Sequence, residues 1–352
     1  MIERLEMITC GGREAEKSIF EIDFDQGENA RDGFRERRGV LVHGGGEHVV
    51  QRIAYTDQAR RELGRAVKTA DGLVRRLGVT RYPPELSRVI GHRPDGRAPF
   101  LVATRRGRPL ADLRDELPLQ PGQLWAVVDG VIAVLTQLHD LRLVHRDIRP
   151  ETLLWDGAAV QLAEFGLTVH EGEERRGPVG ADPWRSPEQT AGLGKADCRD
   201  DVYSAGAVIF HLATGEEVGP TPDMRHRVRF LDSSLRNLLD GVFTDQARHR
   251  VSGFALLRRR EGQQPGGRPP FTPGGPDPLS VTGLEMQARD TFRELRARQH
   301  AFNRRSPAPP HLPPAQPPGV RRSQPVAVRT QVTVAVCLVV LIAVVVLVVT
   351  LA

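Results

Sequence analysis

One stretch near the middle of the chain carries acidic, basic and imidazole side chains within a few positions of each other. It reads LVHRDIRPETLLWDGAAVQLAEFG over residues 143–166 and includes His145, Asp147 and Arg149. Proteins use carboxylates and imidazoles for proton transfer, and they use guanidiniums to bind phosphate. This stretch is therefore the first candidate for a chemically active site.

Further short motifs lie within and after this stretch and predict how its loop is held. Asp156–Gly157 is a tight-turn signal between two short strands, and the second strand ends at the EFG sequence of residues 164–166. The sequence SPE follows at 186–188, and DVYSAG at 201–206 opens an apolar helix. Four motifs in this order and at this spacing are far more specific than any one of them alone.

The elements around these motifs divide the folded region into two parts. The first part contains five predicted strands and one predicted helix: 18–24, 39–43, 48–54, 87–91 and 100–104, with the helix over 58–77. Residues 44–46 (GGG) join the second and third strands as a hairpin turn. After Ala111 apolar residues recur at helical spacing: Leu124, Val127, Val128, Val131, Leu135 and Leu138. The sequence predicts an α+β fold with a small sheet lobe followed by a larger helical lobe.

Taken together, the motifs resemble those of the Ser/Thr protein kinase family, in its bacterial membrane-anchored form. The resemblance covers residues 17–261 and is strongest in the helical part. It implies a bilobal protein-kinase-like fold with a small β-rich N-terminal lobe and a larger helical C-terminal lobe. An aminoglycoside-phosphotransferase-like kinase shares the catalytic loop, but it would not be expected to carry the SPE segment or the helix that opens at Asp201.

The resemblance implies roles for the residues of the catalytic loop, and several of them depart from the family pattern. Asp147 would accept the proton of a substrate hydroxyl and orient it toward the γ-phosphate of ATP. Arg149 stands where the family usually has a lysine, and Thr152 stands where it has an asparagine that binds a second Mg²⁺. Glu164 replaces the aspartate that is the main Mg²⁺ ligand, and its longer side chain suits an octahedral metal poorly.

The sheet lobe departs further from the family pattern. The family covers the phosphates with a glycine-rich loop, whereas residues 25–39 read DQGENARDGFRERRG and lack that pattern. The strand HVVQRIA resembles the family's lysine-bearing strand, with Arg52 in place of the lysine. Glu62 is the candidate for the helix glutamate that pairs with this cation, and the alternative is an exposed surface charge.

The positions that do match the family are those that support its fold. Asp201 would bond the backbone of the catalytic loop, and Glu188 would pair with Arg250 as a buried ion pair. Three further residues match positions that pack inside the family's fold: His145, Phe165 and Gly166.

The residues that support the fold match the family pattern, whereas the residues that would bind ATP and the metal differ from it. This combination favours a pseudokinase. Such a protein would act by binding partners and would hold ATP and Mg²⁺ only weakly. The alternative is an active or weakly active Ser/Thr kinase that uses Asp147 as base and Glu164 for the metal. The substrate or protein partner is not specified by the sequence.

The last 23 residues, 330–352, contain no charged side chain and are long enough to cross the hydrocarbon core of a bilayer. A transmembrane helix is predicted there, after a Pro/Gly-rich linker over 262–329 that contains a short amphipathic helix near 281–303. Arginines just before the membrane segment predict a cytoplasmic location for the kinase-like domain. Residues 1–16 are assigned to an N-terminal segment without the pattern of a signal peptide.

Overall composition excludes some classes of protein. The formal net charge is +5 and the three cysteines are widely spaced, so neither a disulfide framework nor a zinc site is predicted. The basic residues do not form a clustered basic-aromatic face, and no nucleic-acid partner is expected.

Overall fold

The computed structural model describes residues 1–11, 17–43 and 46–263. The first part of the chain forms an antiparallel sheet, along whose strands the side chains alternate in burial. Its seven strands are β1 (Ile2–Thr9), β2 (Lys17–Phe24), β3 (Asn29–Arg31), β4 (Phe34–Leu41), β5 (His48–Ala54), β6 (Val89–Arg93) and β7 (Phe100–Thr104). The five predicted strands correspond to β2, β4, β5, β6 and β7.

Strand β1 closes this sheet on itself. The strands follow the order β2-β1-β6-β7-β5-β4-β3, and β2 also pairs with β4. One cluster of apolar residues contains members from each of the six strands of this ring: Met7, Ile22, Phe24, Leu41, Val49, Ile90, Phe100 and Val102. The assignment of residues 1–16 to a separate N-terminal segment therefore needs correction, since Ile2–Thr9 belongs to the sheet and supplies part of its core.

The charged stretch 25–39 forms a hairpin rather than an open loop. Strands β3 and β4 pair from Asn29↔Glu36 to Arg31↔Phe34, and the two residues between them are Asp32 and Gly33. Both have positive φ, 52° and 79°, as tight hairpin turns of type I′ require. The strand predicted over 39–43 accordingly begins earlier, at Phe34.

Helix α1 (Asp57–Leu77) packs against one face of the sheet. It begins after Thr56, whose Oγ1 accepts a hydrogen bond from the Ala59 amide at 3.2 Å, and it ends at Gly78 with a φ of 73°. Small residues bring the helix close to the strands in a second apolar cluster: Phe34, Val50, Ala54, Ala59, Leu63, Ala66, Ala70, Val89, Leu101 and Ala103.

The second lobe is mainly helical. Its helices are α2 (Pro121–Asp140), α3 (Pro187–Ala191), α4 (Cys198–Thr214), α5 (Thr221–Arg227), α6 (Ser233–Leu239) and α7 (Gly253–Gln263). Short strands lie among them: β8 (Arg108–Pro109), β9 (Leu143–Val144), β10 (Leu153–Trp155), β11 (Val160–Leu162) and β12 (Val169–His170). The apolar stripe predicted on α2 is buried in the core of this lobe, which confirms the predicted helix.

Within the described part of the chain, α2 is also the one helix long and apolar enough to cross a membrane. Its apolar residues are buried in the lobe core, so its composition is explained by packing. The predicted linker after residue 263, the helix near 281–303 and the transmembrane helix at 330–352 lie outside the described residues.

Candidate active site

The catalytic loop lies between β9 and β10 and is held by the start of α4. The amides of His145 and Arg146 both donate to the Asp201 carboxylate, to Oδ2 at 2.6 Å and to Oδ1 at 2.8 Å. Arg146 adopts a φ of 68°, a strained value for a side chain of this size. The two charge-assisted bonds hold this conformation, and they are the contact expected for Asp201 from the sequence.

His145 stabilises the catalytic loop by its contacts and takes no part in chemistry. Its ring is fully buried, its Nε2 donates to the Ala163 carbonyl at 3.0 Å, and it meets the Phe165 ring edge-on at 5.3 Å. Burial lowers the pKa of His145 to about 4, so the ring is neutral at pH 7. A Cβ added at Gly166 would lie 3.1 Å from the Glu62 Cβ, which shows how closely α1 approaches this segment.

Asp147 lies in the cleft between the lobes and contacts Arg149. The Arg149 Nε donates to Asp147 Oδ2 at 3.2 Å. Burial raises the pKa of Asp147 to about 7; Arg149 lowers it and nearby Glu164 raises it further. A carboxyl group with this pKa can exchange a proton near neutral pH.

The Thr152 side chain makes its hydrogen bonds within the catalytic loop. Its hydroxyl is fully buried, donates to the Asp147 carbonyl at 2.8 Å and accepts from the Arg149 amide at 3.2 Å. This residue therefore stabilises the loop backbone, and its oxygen is not presented to the cleft.

Glu164 is surrounded by guanidinium groups. It adopts a left-handed φ of 69°, receives a short hydrogen bond from Arg31 Nη2, and lies 3.3 Å from Arg52 Nη2. Burial by itself would raise the pKa of Glu164, but Arg52, Arg31 and Arg149 outweigh it and hold the pKa below its usual value. Glu164 is thus an ionised carboxylate whose counter-ions are arginines of the same chain.

The expected ion pair between Arg52 and Glu62 is not formed, and this prediction needs correction. Glu36 lies directly opposite Arg52 in the β4–β5 ladder, and its carboxylate is 2.8 Å from Arg52 Nε. Arg52 is therefore occupied by Glu36 and Glu164. Glu62 instead accepts a hydrogen bond from Gln58 at 3.1 Å, one turn away on α1.

The tip of the β3–β4 hairpin reaches across the cleft to the catalytic loop. Arg31 bonds Glu164, and the next residue, Asp32, accepts from Arg149 Nη2 at 3.1 Å. Sequence reasoning missed Arg31, Asp32 and Glu36 as site residues. The high density of charged residues over 29–36 was the one sequence feature that could have identified them. Their partners follow only from the turn that places these residues over the cleft.

The arrangement does not fit a magnesium ion at the predicted ligands. Mg²⁺ requires oxygen ligands in near-octahedral geometry. The Thr152 oxygen is buried within the loop, and the Glu164 oxygens face guanidiniums. Two unit charges about 4 Å apart interact by about 4 kcal/mol at an effective dielectric constant of about 20, so the repulsion of a cation by Arg31 and Arg52 offsets its attraction to the Glu164 carboxylate. In the part of the chain that the structure describes, no three His, Cys, Asp or Glu residues cluster as a metal site.

Two cavities occupy the cleft between the lobes. One of about 500 Å³ is lined by Asp32, Arg52, Asp147, Arg149 and Glu164. The second, of about 300 Å³, has apolar walls that include Val50, Leu101 and Leu154. Charged side chains of both signs also line it: Arg31, Arg38, Arg52, Arg105, Glu36, Asp112, Glu151 and Glu164. Both are within the size range of small-molecule sites.

The segment after Glu164 is held by buried ion pairs. Arg250, whose side chain is fully buried, lies 3.0 Å from Glu188, as the sequence predicts. Arg175 forms a second buried pair with Asp200, which also accepts from Ser186 Oγ at 3.0 Å. Sequence reasoning missed the pair of Arg175 and Asp200. These ion pairs between residues of the same chain hold the segment in place.

Comparisons with known proteins show which family part of the chain resembles. Residues 99–253 match the family model of the protein kinase domain. The serine/threonine-protein kinase PknL of Mycobacterium tuberculosis is 40% identical over 128 residues, which are 34% of this chain and 32% of that protein. A probable serine/threonine-protein kinase of Corynebacterium efficiens is 31% identical over 126 residues, 33% of this chain and 19% of that protein.

A third relative is the serine/threonine-protein kinase PksC of Streptomyces coelicolor, 35% identical over 130 residues, which are 33% of this chain and 23% of that protein. The chain spans a third or less of the length of these relatives. Together with the observed strands and helices, the matches support a kinase-like α+β fold related to bacterial Ser/Thr kinases. Domains of this type generally bind ATP and Mg²⁺.

Proposed function

Because residues 99–253 match a protein kinase domain, we propose that this chain is a kinase-fold signalling protein that acts by binding partners rather than by transferring phosphate. It is a pseudokinase in this proposal. Its partner is another protein, and nucleic acid is not among its ligands.

The observation that carries the proposal is the occupation of Glu164 by Arg31 and Arg52. Phosphoryl transfer depends on positioning and on charge stabilisation by a metal that bridges the phosphates. Here the carboxylate at the position of the main metal ligand is already neutralised. Each loss of about 1.4 kcal/mol of transition-state stabilisation costs a factor of ten in rate, so losing the metal's contribution removes useful turnover.

Three further residues of the catalytic loop region act on the protein's own structure. Asp201 fixes the loop backbone, Thr152 fixes its interior, and Asp32 neutralises Arg149 from the other lobe. The cleft is therefore organised to hold the two lobes together, while the outer surface of the fold remains available for partners.

Phosphotransfer by the full-length chain in detergent tests the proposal. The chain is incubated with γ-labelled ATP and Mg²⁺ or Mn²⁺ and a generic protein substrate, beside the variant Asp147→Asn. We expect equal label transfer by both proteins, at the background level. Transfer that is well above background and is lost in Asp147→Asn would contradict the proposal.

The second candidate is an active or weakly active Ser/Thr kinase with Asp147 as base. The observation that favours it is the pKa of Asp147, which burial raises to about 7, within an ordered catalytic loop. The same measurement decides between the two candidates, and a bell-shaped pH profile near neutrality would favour this one.

Attachment to the membrane through residues 330–352, with the kinase-like domain in the cytoplasm, is part of the proposed function. It is supported by the 23 uncharged residues there and by the arginines before them. Fractionation of cells that express the full chain, beside a chain that ends at residue 329, tests it. We expect the full chain in the membrane fraction and the shortened chain in the soluble fraction.

A further inference from the structure

We propose that residues 307–318 of this chain dock in a groove beside the segment that joins the two lobes. The sequence there reads PAPPHLPPAQPP, and seven of its twelve residues are proline. The proposed function gives this proline-rich segment no role. The groove, of about 670 Å³, shares Thr104 and Arg105 alone with the two cavities of the cleft, so the inference does not depend on nucleotide binding or phosphotransfer.

One wall of the groove is apolar and comes from the chain between α1 and β6. It contains the half-buried Tyr82 and Pro83, the exposed Pro84 and the buried Leu86. Val79 extends this wall and is 56% exposed. Domains that recognise proline-rich segments do so in apolar grooves with aromatic side chains, against which the proline rings pack. The wall therefore suits a ligand that presents proline rings.

A second wall is polar, and its carboxylates are already paired. Glu47 lies 3.3 Å from Arg88, whereas Asp156 pairs with Arg106 and also accepts from two backbone amides. Gln161 Oε1 accepts a hydrogen bond from the Arg106 amide at 2.9 Å. Because each carboxylate is neutralised by an arginine of the same wall, the groove suits an uncharged ligand better than an acidic or a basic one.

Hydrogen-bond donors remain in excess on this polar wall. A guanidinium has five N–H groups. Among the described residues, side-chain hydrogen bonds engage one nitrogen of Arg88 and one of Arg106. Arg105 also lines the groove, but its charge interacts with the carboxylates of the cleft. The free N–H groups of Arg88 and Arg106 are thus available to carbonyl oxygens of a ligand.

The proline-rich segment has the opposite hydrogen-bonding balance. Proline has no backbone N–H, so the twelve residues carry twelve carbonyl acceptors and five amide donors. Sequences of this composition favour polyproline II, in which no carbonyl is used in an internal hydrogen bond. The segment also contains no Asp, Glu, Lys or Arg. Its carbonyls therefore match the guanidinium donors, and its rings match the apolar wall.

The length of the chain allows this docking within one molecule. The segment contains two PxxP units, 310–313 and 314–317, and the outer prolines of each unit are about 9 Å apart in polyproline II. The 43 residues from 264 to 306 can span up to about 140 Å. A folded domain the size of residues 1–263 has a radius of gyration of about 18 Å. The connection is therefore long enough to reach the groove.

Calorimetric titration of the full-length chain in detergent with a synthetic peptide of residues 306–319 tests the inference. The unmodified chain is compared with a full-length linker variant that carries Pro310→Ala, Pro313→Ala, Pro314→Ala and Pro317→Ala. We expect the peptide to bind the linker variant at least tenfold more tightly, because the tethered segment of the unmodified chain competes at a high effective concentration. A peptide with the same four substitutions should bind the linker variant at least tenfold more weakly.

Changes in the groove assign the binding to its two walls. In the linker variant, Val79→Asp places a charge on the apolar wall and Arg106→Ala removes donors from the polar wall. Each is expected to weaken binding of the proline peptide at least tenfold. The matched control Ile19→Asp changes a 70% exposed residue of β2 that does not line the groove, and it should leave the affinity unchanged. Melting of each variant without peptide shows whether it is folded.

Three results would overturn the inference: no peptide binding by either full-length form, equal affinity of the two forms, or unchanged affinity in both groove variants. Sedimentation distinguishes docking within one chain from docking between copies, and we expect the unmodified chain to be a monomer. Self-association that the four proline substitutions abolish would assign the groove to the segment of a second copy and contradict docking within one chain. Phosphotransfer by the same preparations would contradict the proposed function alone.

Discussion

At the scale of single residues, the chain uses arginine for several kinds of charge pairing. Arg52 lies over the Phe34 ring at 4.1 Å while pairing with Glu36, so its position is set by packing as well as by charge. Arg250 is enclosed with Glu188, and exposed arginines such as Arg225 pair at the surface. The energetic value of these pairs depends on burial, because removal of one partner leaves the other uncompensated only where water is excluded.

This difference gives a matched pair of stability predictions. Arg250→Met should lower the free energy of unfolding by about 3–5 kcal/mol, because it leaves the Glu188 carboxylate without its buried partner. Arg225→Met removes the exposed pair with Asp245, 3.1 Å apart, and should cost about 1 kcal/mol or less. Urea unfolding of both variants measures the two values. Equal losses would contradict the burial of Arg250 in this network.

The raised pKa of Asp147 predicts a pH dependence of stability. Its pKa is about 7 in the folded chain, against an ordinary value of 3.8, so the folded state holds a proton that the unfolded state releases. The stability contributed by this group therefore falls as pH rises from about 4 to about 7. The melting temperature of Asp147→Asn, relative to the unmodified chain, should increase across this window and level off above it. A difference that stays constant with pH would contradict the burial of the carboxyl group.

At the scale of elements, strand β1 and the β3–β4 hairpin account for most of the differences between the sequence interpretation and the structure. Strand β1 shows weak alternation because both of its faces include polar residues, so its pairing was not apparent from local pattern. Between residues 29 and 38 the charged hairpin has Ala30 and Phe34 as its only apolar side chains, too few to identify a strand from local pattern. In both cases, pairing with neighbouring strands supplies the stabilisation that local preference does not provide.

The closed sheet predicts that β1 is required for stability. Met7→Ala removes a side chain that is 1% exposed and should cost about 2–5 kcal/mol, because it leaves a cavity inside the ring of strands. The control Ile19→Ala changes a 70% exposed residue of the neighbouring strand β2 and should cost less than about 1 kcal/mol. Calorimetric melting of both variants tests this. A small loss for Met7→Ala would mean that β1 does not complete the core.

At the scale of the whole molecule, ion pairs cross the cleft and connect the lobes. Arg31 and Asp32 of the sheet lobe bond Glu164 and Arg149 of the helical lobe. The features that disfavour a metal are therefore distributed over both lobes. A change at one of them leaves the others in place.

Under the proposed function, this distribution predicts that a single reversion toward the family pattern gives no phosphotransfer. Glu164→Asp should give no phosphotransfer above the level of Asp147→Asn, since Arg31 and Arg52 still neutralise the carboxylate. The combined variant Arg31→Gly, Arg52→Lys, Thr152→Asn and Glu164→Asp should instead show stabilisation by ATP that depends on Mg²⁺. Labelled-ATP assays and thermal unfolding measure the two outcomes, and robust transfer by Glu164→Asp alone would contradict this account.

The sequence by itself determined the catalytic loop, its contact with Asp201, the buried pair of Glu188 and Arg250, and the order of the lobes. These features follow from short motifs and from helical periodicity, which local residues specify. Only the tertiary structure decided which charged side chains pair with each other across the cleft. Arg31 and Glu164 are 133 positions apart, and they meet because a two-residue turn and a closed sheet place the hairpin tip over the catalytic loop. A charged side chain in a sequence has many potential partners, and the fold selects among them by position.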